Sequence, residues 1–119
     1  MDKIKINDLR VRTIIGTEDY EREEQQELIL NLTLFVDLRQ ACRSDDLRHT
    51  VDYSDLKSEI LKMADGSGFQ LLEKLAQEVA KLGLRYSGVE EVKVSVRKPA
   101  ALRFAGSAEV EIVRNNCSD

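Results

Sequence analysis

Apolar and polar residues alternate along the first third of this 119-residue chain. Over residues 3–15 the apolar positions follow a period of two, with one phase slip near Asn7 and Asp8 that is typical of a β-bulge. Residues 28–38 repeat the alternation, with leucine and valine on one face and partly polar side chains on the other. The pattern predicts two strands separated by a polar loop that contains Gly16.

The period changes to that of an α-helix over residues 53–65, where Asp52 or Ser54 can serve as the N-cap. Segment 66–68, which contains two glycines, interrupts the helical pattern. A second amphipathic stretch then continues to about Gly83. Two consecutive helices are therefore predicted after the two strands.

The last third of the chain returns to a period of two. Valines alternate over residues 92–96, ahead of Lys98 and Pro99, and apolar residues alternate again over 108–112. The predicted order is ββααββ, which indicates an α+β fold with both helices on one face of a four-stranded antiparallel sheet. Such a sheet has two unpaired edges, and oligomerisation would protect them.

Length and composition limit the possible function classes. A chain of this length predicts a single domain over residues 1–119, with a polar tail at 115–119. The hydrophobic share of 42% and charged share of 34% are typical of a soluble protein, and the first residues lack a signal-peptide pattern, so we expect a cytoplasmic protein. The net charge of −4 disfavours binding to nucleic acid, and no apolar run predicts a membrane span.

The residues that commonly hold metals and cofactors are scarce. Cys42 and Cys117 have no disulfide or metal-ligand spacing, and the single histidine, His49, predicts a structural or solvated side chain. The glycines form neither a phosphate-binding loop nor a dinucleotide fingerprint. The sequence therefore predicts no metal and no cofactor.

Four ionisable residues at the ends of predicted elements could do chemistry: Glu21, Tyr53, Glu73 and Lys98. Each of these residues also has an interpretation in which it takes no part in function. Glu21 could be a solvated charge in an acidic loop, and Tyr53 could pack at the entry of a helix. Glu73 lies in a first helical turn, where a carboxylate favours the positive end of the helix dipole, and Lys98 could be exposed at a strand end.

An ordered set of short motifs contains these four residues. The motifs are Ile15-Gly16, Tyr20-Glu21-Arg22 followed by Gln26, Ser44-Asp45-Asp46-Leu47 with Val51-Asp52-Tyr53, Phe69 to Ala76, and Lys98-Pro99. Together they span about residues 3–114 and resemble the dihydroneopterin aldolase family. The resemblance implies the tunnelling fold, in which subunits join their sheets into a barrel ring and two rings stack, commonly as a homo-octamer.

The resemblance also implies how a reduced pterin substrate would be held. Glu73 would accept hydrogen bonds from the amino-pyrimidine edge of the ring, as a carboxylate accepts them from a guanidinium. Leu72 and Asp52 would add main-chain contacts, and Tyr53 would pack on the ring. The pocket would lie between neighbouring subunits.

The implied reaction is a metal-free retro-aldol cleavage in folate biosynthesis, with 6-hydroxymethyl-7,8-dihydropterin and glycolaldehyde as products. In 7,8-dihydroneopterin the C6=N5 imine adjoins the bond to be broken and can accept its electrons, so general acid–base catalysis is sufficient. Lys98, Tyr53 and Glu21 would be the catalytic residues, with Glu21 also binding the substrate and with ordered water as a proton carrier.

Two alternatives stay open at this point. A dihydroneopterin triphosphate 2′-epimerase is indicated by Arg12-Thr13 and by Ala101-Leu102-Arg103-Phe104-Ala105, with Arg22, Arg97 and Arg103 as possible triphosphate ligands. A non-catalytic ring-forming scaffold would keep the fold without the activity. Aldolase is the preferred interpretation because of the Val51-Asp52-Tyr53 motif and the acidic loop around Glu21.

Overall fold

The computed structural model describes residues 1–99 and 101–117, so residues 118 and 119 of the predicted polar tail lie outside it. Within these residues the chain forms four strands, three α-helices and two short 3-10 helices. The strands are β1 (Asp2–Thr13), β2 (Gln26–Val36), β3 (Val89–Pro99) and β4 (Ser107–Asn115). The α-helices are α1 (Arg39–Ser44), α2 (Tyr53–Asp65) and α3 (Leu72–Leu84), and the 3-10 helices are Asp19–Arg22 and Leu47–His49.

The predicted order of strands and long helices is confirmed, but some details of the prediction are wrong, among them the end of β1, which lies at Thr13 and not at Ile15. Strand β2 ends at Val36, not at Leu38, because the backbone turns there toward α1. Helix α1 was not predicted, since six residues are too few to show a helical period. The predicted bulge is confirmed: the β1–β2 register shifts between Ile6 and Leu9.

The sheet is antiparallel in the order β1-β2-β3-β4, so β1 and β4 are its edges. Helix α2 packs over β1, and α3 packs over β3 and β4, on the same face of the sheet. The core between these layers consists of the inward residues of the strands and the apolar stripes of the helices, including Leu30, Leu32, Leu56, Leu75 and Val94. None of the described helices is long and apolar enough to cross a bilayer.

The antiparallel order gives the chain two distinct ends. We call the end where β1 and β3 finish the upper end, and the end where they begin the lower end. Helix α2 runs from lower to upper, because the Thr13 hydroxyl donates to the Ala64 carbonyl at 2.5 Å. Helix α3 runs back, and the Tyr86 hydroxyl donates to the Asp55 carboxylate at 2.6 Å near the lower end.

Candidate active site

The upper end holds a partly buried ion pair between Lys98 and Glu21. Lys98 is the penultimate residue of β3, and its ammonium donates to the Glu21 carboxylate on the first 3-10 helix. The side chains are only 15% and 11% exposed, so neither is the solvated charge that one reading of the sequence allowed. The hydrogen bond from Lys98 is the largest cause that lowers the pKa of Glu21, and the Glu18 N–H also donates to it at 3.2 Å. The carboxylate is therefore ionised at neutral pH.

Gly16 forms the surface on which the Glu21 carboxylate rests. Its φ of +126° is a conformation that residues with a Cβ rarely adopt. A Cβ at this position would lie 2.4 Å from the Glu21 carboxyl carbon and Oε1. The preceding carbonyl, of Ile15, accepts a hydrogen bond from the Gln26 side chain at 2.7 Å. Only glycine fits this backbone while leaving Glu21 in place.

Arg22 connects this loop to the segment that leads into α3. Its Nη1 donates to the Gly16 carbonyl at 3.3 Å and to the Phe69 carbonyl at 3.0 Å. Its Nη2 donates to the Gly68 carbonyl at 2.6 Å. One guanidinium therefore joins two loops that are far apart in sequence, one at Gly16 and the other at Gly68 and Phe69. Sequence reasoning took Arg22 as a possible phosphate ligand and missed this role, because backbone carbonyls leave no residue-type signal.

Helix α3 begins at the same upper end with Leu72 and Glu73. Its N-cap residue, Leu71, provides no side-chain hydrogen bond, so the first-turn N–H groups receive no side-chain acceptor from the cap. The Glu73 side chain is exposed in this first turn. An open helix N-terminus with a neighbouring carboxylate can bind both acceptor and donor groups of a planar ring.

The lower end carries a separate cleft of about 500 Å³ at the start of α2. Asp52 caps this helix by accepting from the N–H groups of Ser54 and Asp55 at 3.1 and 3.2 Å. Tyr53 lies in the cleft wall and is 59% exposed, so it does not pack at the helix entry as the alternative reading had it. His49 Nδ1 lies 2.7 Å from the Ser44 hydroxyl oxygen, in the adjoining 3-10 helix.

The sequence-predicted residues thus fall into two groups. Glu21 and Lys98 are in contact, and Glu73 with Leu72 lies at the same end. Asp52 and Tyr53 lie at the other end, since the 13 residues of α2 place its ends about 18 Å apart. Within one chain the structure does not bring these two groups together.

The described part of the chain contains no group of three His, Cys, Asp or Glu side chains placed to hold a metal ion. The cysteines Cys42 and Cys117 are free and exposed.

An antiparallel sheet with both long helices on one face places this chain among small α+β proteins, and its carboxylate–ammonium pair lies at one end of the sheet. The family model described as dihydroneopterin aldolase matches residues 4–113, and the chain belongs to this family.

Relatives from several organisms agree with this assignment. A Pseudomonas aeruginosa dihydroneopterin triphosphate 2′-epimerase is 33% identical over 112 residues, covering 94% of this chain and 91% of the relative. The solved structure of Escherichia coli dihydroneopterin aldolase in complex with neopterin is 34% identical, with a TM-score of 0.91 over 97% of this chain and all of that one. A Burkholderia dihydroneopterin aldolase bound to guanine is 27% identical, with a TM-score of 0.81 over 97% of this chain and 91% of that one. The predicted α+β fold of the chain, with its four-stranded antiparallel sheet, is confirmed, and it is the fold of these solved aldolase structures.

Proposed function

We propose that this chain is a cytoplasmic dihydroneopterin aldolase of folate biosynthesis. The observation that carries the proposal is the partly buried Glu21–Lys98 ion pair, which lies at the same end of the chain as the open N-terminus of α3. It is supported by family membership and by the neopterin and guanine complexes of the E. coli and Burkholderia relatives. Both of those ligands carry the amino-pyrimidine edge that a dihydropterin presents.

The proposed reaction breaks the C1′–C2′ bond of 7,8-dihydroneopterin. A base removes the proton of the 2′-hydroxyl, C2′ becomes the aldehyde carbon of glycolaldehyde, and the bond electrons move through C1′=C6 to N5, which takes up a proton. Protonation of C1′ and loss of the N5 proton then restore the C6=N5 imine and give 6-hydroxymethyl-7,8-dihydropterin. Every step is a proton transfer or a shift of electrons within the substrate.

Two residues at the upper end are assigned to recognition of the ring. The exposed Glu73 carboxylate accepts two parallel hydrogen bonds from the ring N–H and the exocyclic amine. Leu72 contributes a main-chain contact from the uncapped first turn of α3. From the lower end of another chain, Asp52 adds a main-chain contact and Tyr53 packs on the ring.

Proton transfer is assigned to Lys98, Glu21 and Tyr53. Lys98, an ammonium ion in the pair, can donate a proton at N5, and the ionised Glu21 carboxylate can orient it and a bound water. The exposed Tyr53 hydroxyl of the neighbouring chain can relay the proton of the 2′-hydroxyl. The pair is partly buried, so these transfers would be partly shielded from bulk water.

We further propose that the complete site forms between two copies of the chain. One chain holds Lys98 and Tyr53 at opposite ends, and its longest dimension is 51 Å, so a head-to-tail contact is needed to join them. Such a heterologous contact closes into a ring when its rotation permits. The proposed assembly is an octamer of two tetrameric rings.

The charges at the sheet edges support this ring. On the face away from the helices, β1 presents a row of basic residues and β4 presents acidic ones. These residues are Lys3, Lys5, Arg10 and Arg12 on β1, and Glu109 and Glu111 on β4. Pairing β1 of one copy with β4 of the next would satisfy both unpaired edges and place opposite charges side by side.

Direct incubation tests the activity. The purified protein is incubated separately with 7,8-dihydroneopterin and with its triphosphate, and glycolaldehyde, 6-hydroxymethyl-7,8-dihydropterin and the 2′-epimer are followed by chromatography. Rapid glycolaldehyde release from the unphosphorylated substrate is expected. No product from either substrate would instead favour a non-catalytic ring-forming scaffold.

A mixing experiment tests the shared site. Lys98→Ala removes a residue of the upper end and Tyr53→Ala one of the lower end, so each homo-oligomer is expected to be nearly inactive. When equal amounts of the two variants assemble at random, about a quarter of the contacts between chains should join an intact upper end to an intact lower end. If the co-refolded mixture is no more active than the separate variants, the shared site is wrong.

Epimerisation is a second candidate because the P. aeruginosa relative, at 33% identity, is named for it. A triphosphate needs cations, and Arg22 is occupied by three carbonyls. Arg97 alternates with Lys98 along β3 and so faces the opposite side of the sheet. Arg103, at the exposed β3–β4 turn, therefore remains as the possible triphosphate ligand among the three arginines. Its guanidinium lies 5.3 Å from the Phe104 ring centre. Formation of the 2′-epimer from the triphosphate with little cleavage would favour the epimerase.

A further inference from the structure

We propose that Arg22 is a positioning residue that fixes the separation between Glu73 and the Glu21–Lys98 pair. The inference rests on the proposed function, in which Glu73 holds the pterin ring and the pair acts at its side chain. Arg22 itself has no assigned contact with the substrate. Its action is on the two loops that carry the site.

The first step is the geometry of the guanidinium. Arg22 is half-buried and donates three hydrogen bonds, one to the β1–β2 loop at Gly16 and two to the α2–α3 segment at Gly68 and Phe69. A planar guanidinium offers several donors in a fixed fork, whereas a lysine ammonium is a single point on a flexible stem. Arg22 is therefore suited to hold three carbonyl oxygens at set distances from one another.

The second step leads from Arg22 to Glu21. The Gly16 carbonyl is bound by Arg22, and the Gly16 α-carbon lies so close to the Glu21 carboxylate that a Cβ would meet it at 2.4 Å. Arg22 also follows Glu21 directly in the same 3-10 helix. A shift of the Gly16 peptide would move the surface that supports Glu21, and with it the ammonium of Lys98.

The third step leads from Arg22 to Glu73. Gly68 has a φ of +61°, and Phe69 precedes the first residue of α3 by three positions. Leu71 gives α3 no side-chain cap. The long-range hydrogen bonds from Arg22 to the two carbonyls just before α3 therefore fix where the first turn of this helix begins. The Glu73 carboxylate belongs to that turn.

The consequence concerns turnover more than binding. A dihydropterin bound by Glu73 must present its C1′–C2′ bond and N5 to Lys98 at reacting distance. A misplacement of about 1 Å can lower a rate about 100-fold even when the mutated residue is remote from the chemistry. Loss of the Arg22 hydrogen bonds should leave Glu73 and the Glu21–Lys98 pair each intact but change the distance between them.

The test compares Arg22→Lys, which keeps the charge, and Arg22→Gln, which does not. Arg85→Lys is the control, an exposed arginine just after α3 at the lower end. Rates of glycolaldehyde release are normalised to sites titrated with neopterin, so that loss of folded protein does not enter kcat. We expect kcat to fall about 10- to 100-fold in both Arg22 variants while KM changes less than about 3-fold. The control should match the parent in both constants.

A kcat per titrated site equal to the parent in Arg22→Lys would overturn the proposal. The proposal would also be overturned if Arg22→Gln lowered kcat while Arg22→Lys kept the parental kcat, because the charge of the side chain rather than its geometry would then matter. Faster amide hydrogen exchange over residues 66–72 in Arg22→Lys, together with the lowered kcat, supports it. If the parental protein itself releases no glycolaldehyde, it is the proposed function that fails, and this outcome is seen before any variant is compared.

Discussion

The upper and lower ends of the chain are held together by different kinds of interaction. At the upper end, Lys98 binds a carboxylate 77 residues away, and Arg22 binds carbonyls 46 and 47 residues away. Around the lower cleft, the hydrogen bonds of Asp46 and Asp52 join residues only two or three positions apart.

The difference shows how the two ends depend on the rest of the fold. The upper end exists only when β1, β3 and α3 are packed together, and it partly buries the Glu21–Lys98 pair. The lower cleft is organised by short local caps and leaves Tyr53 exposed, although the nearby hydrogen bond from Tyr86 to Asp55 joins residues 31 positions apart. Each end carries some of the residues proposed for catalysis. In the proposed ring, each end would contribute these residues to a site shared with a neighbouring chain.

Removing the ammonium of the upper end should have the largest effect. Lys98→Ala is expected to lower kcat by about 100- to 10,000-fold, because general acid–base catalysis contributes rate factors of that size. Lys93→Ala, on the same strand but facing away from the helices, should keep nearly the parental rate. Initial rates of glycolaldehyde release measure both. A Lys98→Ala rate within about 3-fold of the parent would remove this residue from the mechanism.

Glu73→Gln should separate recognition from chemistry within the upper end. An amide cannot accept both hydrogen bonds of the amino-pyrimidine edge, and the loss of a charge-assisted bond costs about 1.5–3 kcal/mol. KM should therefore rise about 10- to 100-fold, with a much smaller change in kcat. Glu78→Gln, further along α3, is the control. Equal KM values for the two variants would contradict the assigned role of Glu73.

The two glycines Gly16 and Gly66 provide a matched test of stability. Gly16→Ala should destabilise the fold by about 1–3 kcal/mol, because alanine is strained at its φ and its Cβ would meet Glu21. Gly66 has a φ of −101° and no atom within 4 Å of its ideal Cβ, so Gly66→Ala should stabilise by about 0.4–1 kcal/mol. Urea denaturation measures both. Similar changes in the free energy of unfolding for the two variants would mean that the loop at Gly16 is not constrained by its contact with Glu21.

The lower end should respond to loss of its cap. Asp52→Ala is expected to lower the free energy of unfolding by about 1 kcal/mol, whereas Asp52→Asn keeps an acceptor oxygen and should be close to the parent. Because the proposed substrate contact of Asp52 is through its main chain, KM should change little in Asp52→Asn. A large KM increase in that variant would show that the carboxylate itself binds the substrate.

The smallest expected effect is a pH dependence of stability from Glu21. Its pKa is lowered below the ordinary value of 4.5, chiefly by the bond from Lys98. A group whose pKa is lower in the folded state stabilises fully above its unfolded pKa, and this contribution is lost as the pH falls through the folded pKa. Unfolding measured from pH 6 down to about pH 3 should therefore show a shallower loss in Glu21→Gln than in the parent. Parallel curves would mean that the pair adds no pH-dependent stability.

The sequence by itself determined the elements and the local part of the site. Periodicity predicted the four strands, α2, α3 and the bulge, because these depend on which residues a neighbouring layer must bury. The caps at the lower end follow equally from residue type, as Asp52 before α2 illustrates. The motifs around Glu21, Glu73 and Lys98 indicated the family.

The tertiary structure decided what no local pattern contains. It placed Lys98 against Glu21, although an acidic loop alone suggested a solvated charge, because long-range strand pairing brings the end of β3 beside the β1–β2 loop. It bound Arg22 to backbone carbonyls, which every residue possesses and no sequence motif marks. It also separated Tyr53 from Lys98 by the length of α2, since the direction of a helix across a sheet is set only when the layers pack.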